Sequence, residues 1–369
     1  GATADRLRNN ERIRLRAWTQ RLESVFPMRE FLIPNERYSE SLEDVQLLEP
    51  GAEVPVRVIS VPKTLKSPRI IAMEPAHVMY VQQGILESLL AAHYRVDFLS
   101  EMVGFDDQVP NQDLARHGSL WEGTLATLDL SEASDRVSNQ LVRAMLRNFP
   151  HMAEAVDAAR SRKADVPGHG VLRLSKYASM GSALCFPMEA YVFLTCIFLG
   201  IERQLRTRLT RHHVYSMMGQ VRVYGDDLIV PVDYVTTVIE TLEHFGAKVN
   251  RRKSFWTGKF RESCGKEYYR GHDVSIVKVR QPLPSSRQRV SEVLALSSTR
   301  NQMYNLGLWK TCAELDSILE RCLNGHYPIV ESTSPLIGRH SVFEPRPKYW
   351  GEALQHPLVK GYAVFARPP

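Results

Sequence analysis

Along this chain the spacing of apolar and polar residues changes character several times, and each change predicts an element. Residues 221–231, VRVYGDDLIVP, hold two short apolar runs around Gly-Asp-Asp, the pattern of a buried hairpin with two carboxylates at its tip. GTLATLDL, residues 123–130, is a second β-compatible run ending in an acid. SEASDRVSNQLVRAMLRNF follows it at helical spacing, with Ser131 placed as N-cap. YVTTVIETLEHFGAKV again repeats its apolar positions as a helix does, and Gly246 ends it. LCFPMEAYVFLTCIFLGI, residues 184–201, is almost wholly apolar; its length, Pro187 and Glu189 favour a buried helix over a membrane span.

Upstream, Val54 to Val61 and Ile70 to Met73 predict two strands around a basic turn, and HVMYVQQGILESLLAAHYR predicts a helix. The Arg-rich opening, DRLRNNERIRLRAWTQRLES, reads as a solvated surface helix. Ala158 to Lys176 is a polar connector leading into SMGSA, which opens the apolar helix. Residues 248–280 are β-like and basic, with ten Lys or Arg against three acids, interleaved with Phe255, Trp256, Phe260, Tyr268 and Tyr269. Helices follow over 287–323, then irregular covering segments rich in Pro and aromatics. The central order of strand, helix, helix, hairpin, helix, strand suits an antiparallel sheet backed by helices on one face, an α+β arrangement.

Composition narrows the partner more than the fold. A chain of 369 residues with 44% hydrophobic positions is long enough for a large core and is not disordered. Its net charge of +6 favours a polyanionic partner. The five cysteines are scattered, without C-x-x-C pairs or a zinc-like His spacing, which fits a reducing compartment. The chain opens Gly-Ala-Thr rather than with Met and without a signal peptide, as a trimmed or partial reading frame would.

The candidate chemistry lies where apolar strands end in acids. Two carboxylates at the tip of buried strands repel each other and lose water, so they persist only with a compensating cation. If the Asp129 strand neighbours the hairpin, Asp129, Asp226 and Asp227 meet at one sheet edge as hard oxygen ligands suited to Mg²⁺. Lys63, Lys66 and Arg69 form a turn suited to gripping a triphosphate, or else a solvated basic turn. Ser179, Gly181 and Ser182 precede a buried helix, where hydroxyls or phosphates can be held, with a capping role for Ser179 as the alternative. Asp135, six residues after Asp129, is placed either to complement the helix dipole or to reach a ribose. Lys253 is either a general acid for a leaving pyrophosphate or one more basic surface residue beside Arg251 and Arg252.

Taken in order, VPKTLKSPRIIAMEP, TLDLSEASDRVS, SMGSALCFPMEA, VYGDDLIVP, KVNRRKSFW and FRESCGKEYYRG resemble the motifs of the levivirus replicase, the RNA-dependent RNA polymerase of positive-strand RNA bacteriophages. Kinship extends to narnavirus and botourmiavirus polymerases, and the likeness runs from about Val54 to Pro282. The resemblance implies a right-hand polymerase of fingers, palm and thumb with an antiparallel palm sheet. On that pattern residues 1–54 are an N-terminal helical segment of incomplete fingers, and 55–118 fingers with motif F. Residues 119–282 are palm with a fingers insertion near 145–178, 283–330 a helical thumb, and 331–369 a C-terminal cover.

It further implies that Asp129 and Asp226, with Asp227 beside them, bind two Mg²⁺ ions, Mn²⁺ being the alternative. Asp135 and the Ser179 to Ser182 loop check the ribose, Lys63, Lys66 and Arg69 hold the triphosphate, and Lys253 is the motif D general acid. Phe260 to Lys266 resembles the motif E strand and turn that holds the priming end. The implied partners are RNA template and product, NTPs and host translation factors, with no membrane; the implied place is the host-cell cytoplasm. The chain departs from the phage pattern at Ser182, where Asn is expected, and in its shorter stretch before motif A.

Three other readings are weighed. A reverse transcriptase shares the palm, but Asp135 and the polar Ser179 loop favour ribonucleotides. A non-catalytic single-stranded RNA-binding protein would use the basic aromatic surface, yet leaves acids on buried strand ends unexplained. A metal-dependent nuclease needs a water-activating base, and His212, His213 and His244 stand in no pattern near either acidic motif.

Overall fold

The structure, a computed structural model, describes residues 15–32, 42–62, 68–343, 347, 349–353, 355 and 357–365. Lys63 and Lys66 lie outside the described residues.

The chain forms two compact units, residues 1–61 with 70–275, and 62–69 with 276–369. At the centre of the first is a three-stranded antiparallel sheet in the order Leu125–Asp129, Asp227–Pro231, Arg222–Tyr224. Leu228, Ile229 and Val230 are almost fully buried in the middle strand, each side chain contributing about 1.5–3 kcal/mol. This explains why the run is uniformly apolar rather than alternating: neither face meets water. On its other edge Leu125–Asp129 takes up a further stretch of chain, with Thr127 and Phe255 exchanging main-chain hydrogen bonds and Ser131 N–H donating to Lys248.

Helix Cys185–Leu205 packs against Arg222–Tyr224 and against helix Val235–His244. Gly200 allows the second approach, since a Cβ there would stand 2.8 Å from Val238 Cα. Cys185–Leu205 is, among the described residues, the one helix long and apolar enough to cross a membrane; 67% of its most apolar window is buried, as expected of a core helix. Helix Val109–Leu120 packs on the sheet and on the meander Phe260–Ser263, Lys266–Tyr269, His272–Asp273. Arg261 joins the two layers. It is fully buried and donates to the carbonyls of Leu125 at 2.5 Å, Phe260 at 2.6 Å and Gly258 at 3.1 Å.

A second sheet has the order Pro68–Met73, Val56–Pro62, Lys163–Val166, Gly170–Arg173. The last two strands correct the expected polar connector: Gly168 and Gly170, both at positive φ, turn a hairpin whose outer strand is exposed throughout. An exposed edge strand needs no apolar alternation, so the sequence pattern hides it.

Two further expectations change. Where a surface helix was expected near the N-terminus, Ala17–Thr19 is a strand paired with Gln46–Leu48, and Trp18 is fully buried. The helix begins only at Gln20, capped by Thr19 Oγ1, which accepts from Leu22 N–H at 3.1 Å. The single helix expected after Asp129 is broken into Ala133–Arg136 and Asn139–Leu146. Val137 interrupts it because its carbonyl accepts from Tyr177 N–H at 2.9 Å instead of from the next helical turn. Ser131 is not the cap; Glu132 occupies that position with φ 54° and no side-chain capping bond, its carboxylate pairing instead with Arg136 at 2.7 Å.

The second unit holds helices Val290–Asn305 and Trp309–Cys322, as the sequence predicts. Arg300 and Asp316 join them through bonds of 2.7 and 2.9 Å.

Candidate active site

The site grows from one register. Asp129 pairs with Asp227 across the ladder, and Tyr224 pairs with Asp227 on the other side, which leaves Gly225 and Asp226 as the hairpin turn. Three acids from two separated motifs therefore reach the same sheet edge. Gly225 is required there: its φ is +58°, and a Cβ would lie 2.4 Å from the Phe186 ring.

Burial then sets the electrostatics. Asp226 is exposed at the tip and Asp227 is half-buried. Loss of water pushes the Asp227 carboxyl up to about 6; hydrogen bonds with Cys264 oppose this, and the charges of Asp226 and Asp129 add to it. Ser263 Oγ donates to Asp227 Oδ1 at 3.4 Å, and Asn111 Nδ2 donates to the Asp227 carbonyl at 3.4 Å. Among the described residues no three His, Cys, Asp or Glu side chains stand in a ready ligand cage. The donor chemistry fits a divalent cation all the same, because crowded carboxylates at one edge, one of them strained by its neighbours, are hard oxygen donors whose repulsion a cation relieves.

Asp129 is held by a short loop. Asn250 Nδ2 donates to Asp129 Oδ2 at 2.9 Å, Asn250 N–H donates to the Asp129 carbonyl at 2.8 Å, and Asp129 N–H donates to Ser254 Oγ at 3.1 Å. Ser254 closes the loop by donating to the Asn250 carbonyl at 2.9 Å. Lys253 sits exposed between these two residues; its N–H donates to the Asn250 carbonyl at 2.9 Å, and its side chain is left to solvent.

Ser179, Gly181 and Ser182 are half-buried and lead into helix Cys185–Leu205. Their loop is tied to strand Pro68–Met73, Ala72 N–H donating to the Met180 carbonyl at 2.8 Å. Gly181, at φ +128°, presses on that strand so closely that a Cβ would fall 2.0 Å from the Ala72 oxygen. Gln82, buried beneath, accepts from Ala183 N–H at 3.0 Å and donates to the Ala159 carbonyl at 2.9 Å. Asp135 lies exposed on helix Ala133–Arg136, which packs against Cys185–Leu205. Arg69 is exposed at the start of strand Pro68–Met73.

Sequence reading missed Asn250, Ser254, Gln82 and Glu189. Asn250 and Ser254 are separated by a basic run that drew attention to its charge, and their four-residue spacing around Lys253 was the available signal. Gln82 stood inside a helical pattern with nothing to mark it. Glu189 served as an argument against a membrane span; it is 7% exposed, and burial, then Asp226 and Asp135, push its pKa up to about 8.

This chain is similar to the RNA-directed RNA polymerase beta chain of Escherichia phage MS2, 35% identical over 247 residues that make up 67% of this chain and 41% of that protein. It is similar also to the RNA-directed RNA polymerase subunit beta of Qbeta virus (strain MX1), 34% identical over 255 residues, 69% of this chain and 39% of the relative. The chain thus spans about two fifths of the length of these curated relatives. In fold it is similar to a solved chain described as "RNA dependent RNA polymerase, vp4, dsRNA", with a TM-score of 0.50 at 11% identity, covering 76% of this chain and 27% of the other. A family model described as RNA replicase, beta-chain, matches residues 52–310, and the chain belongs to that family.

Proposed function

We propose that this chain carries the catalytic centre of an RNA-templated RNA polymerase, replicating a viral RNA genome from NTPs with release of pyrophosphate. The observation that carries the reading is the pairing of Asp129 with Asp227 beside the Gly225–Asp226 turn, which gathers three acids at one sheet edge. Asp129, Asp226 and Asp227 would hold two Mg²⁺, or Mn²⁺, ions, whose chemistry when bound is to bring an attacking 3′-OH and the α-phosphate into line and to offset charge on the leaving group.

The chain's own residues supply the rest. The Asn250–Ser254 loop orients the Asp129 carboxylate and keeps Lys253 beside it, poised to give a proton to the departing pyrophosphate. Asp135 and the loop of Ser179, Gly181 and Ser182 read the ribose from the side of helix Cys185–Leu205. Lys63, Lys66 and Arg69 grip the triphosphate. The strands Phe260–Ser263 and Lys266–Tyr269 support the priming end. Fingers, palm and thumb follow the expected division of the chain. The basic residues of 248–280, the buried Arg261 apart, face a template–product groove in which affinity is salt-sensitive and largely independent of sequence. The phage origin of the relatives supports the host-cell cytoplasm as the place of synthesis and host translation factors as partners.

NTP incorporation on a single-stranded RNA template with Mg²⁺, compared for the wild type and Asp226→Ala and repeated with dNTPs, tests the reading. Template-dependent RNA synthesis lost on substitution and poor with dNTPs is the expected result. RNA binding without synthesis in either form would leave a binding module, and efficient DNA synthesis would make it a reverse transcriptase.

A further inference from the structure

One acid near the site is given no role by the proposed chemistry. Glu189 lies on helix Cys185–Leu205, one turn beyond Cys185, and is 7% exposed. Its Oε2 is buried with no hydrogen-bond partner. Buried carboxyl oxygens are nearly always partnered, and an orphan beside other acids is kept where it serves the site.

One active-site element meets this side chain and a second packs on the helix that carries it. From one side comes the hairpin turn, where the position a Cβ would take on Gly225 is 3.4 Å from Glu189 Oε1 and 2.4 Å from the Phe186 ring. From the other comes the short helix Ala133–Arg136, which packs on Cys185–Leu205. Asp226 and Asp135 are the two charges that act on Glu189, so the carboxyl lies within electrostatic reach of both the metal-side and the ribose-side acid. An apolar residue of this length would fill the space without a polar end at the turn.

We propose that Glu189 is a positioning residue, its carboxyl head the common seat of the Gly225–Asp226 turn and of the helix bearing Asp135, fixing the separation between the cation site and the ribose-reading group. The assignment rests on the polymerase reading above. It makes reach, rather than charge, the property that matters: Glu189→Gln keeps the length and a polar head, whereas Glu189→Asp keeps the acid and withdraws it by one carbon.

The test is Mn²⁺ titration of the whole chain, followed by calorimetry, for wild type, Asp226→Ala, Glu189→Gln and Glu189→Asp, with the NTP-to-dNTP preference in RNA-templated synthesis as a second readout. Glu189→Asp is expected to bind Mn²⁺ about tenfold more weakly and to discriminate less against dNTPs, while Glu189→Gln stays within about threefold of wild type, the scale on which groups behind a metal ligand act. Both variants matching wild type would overturn the assignment. Glu189→Gln weakened while Glu189→Asp is spared, or both weakened alike, would also overturn it, because the acid itself would then be needed. Wild type and Asp226→Ala binding Mn²⁺ equally would instead overturn the cation-site reading on which the inference rests.

Discussion

Asn250 holds Asp129 twice, its side-chain amide donating to Oδ2 at 2.9 Å and its main-chain N–H to the carbonyl at 2.8 Å. The carboxylate is therefore oriented by the same residue that fixes its strand's neighbour. With Asp129 as a cation ligand, as proposed, Asn250→Ala is expected to lose about tenfold in NTP incorporation, the scale of a group behind such a ligand. The accompanying loss of stability should be small, about 1 kcal/mol for one hydrogen bond. Incorporation rates set beside thermal unfolding separate the two effects.

Gly181 meets the Ala72 carbonyl so closely that Gly181→Ala cannot keep the present loop. The substitution is expected to part the loop from strand Pro68–Met73 and to cost about 1–3 kcal/mol of backbone strain and lost contact. Hydrogen exchange at the Ala72 amide, now bonded to Met180, should quicken. Unchanged protection there would show that the close approach is not maintained in solution.

Arg261 donates to the carbonyls of Leu125, Thr257, Gly258 and Phe260 from a fully buried position, tying the strand of Asp129 to the Phe260–Ser263 meander. Arg261→Met leaves those oxygens bare and should destabilise the chain by about 3 kcal/mol in urea unfolding. Arg261→Lys is expected to recover only part of this, since an ammonium lacks the planar fork.

Asp157 gives the chain an acid limb. Burial by itself would raise its pKa, but the hydrogen bond and charge of Arg143, then the charges of Arg162 and Arg21, bring it below the ordinary carboxylate value. The bonds measure 2.7 Å to Arg143 and 2.9 Å to Arg162. A carboxylate lowered in the folded state stabilises above its unfolded pKa of about 4 and loses that contribution as pH falls through its folded pKa. Asp157→Asn should therefore be less stable than wild type near pH 7, by about 1 kcal/mol given partial exposure, and the two should converge towards pH 3. A constant difference across that range would contradict the assignment.

How much of this was legible depended on whether the residues announced their surroundings. Val221 to Val232 and Leu125 to Asp129 were readable because a strand buried on both faces must be uniformly apolar. Their acidic ends were readable because an acid in that position is costly. Gly170–Arg173 was not, since an exposed edge strand carries no alternation, and neither was the break at Val137, which depends on a hydrogen bond from Tyr177, forty residues along the chain. Asn250 and Glu189 share that character: their meaning lies in what they touch across the fold, and neither composition nor spacing records it.

The pairing of Asp129 with Asp227 makes the site intolerant of one kind of change in particular. Side chains alternate along a strand, so inserting or deleting a single residue between Leu125 and Asp129 would rotate a leucine into the place of an acid and turn the acid to the other face. No neighbouring side chain can adjust to that. Substitutions behind the acids, such as Asn250→Ala, have graded effects, while changes of length in these two strands are all-or-none. The count of residues along these strands, and not only their identity, is what holds the acids together.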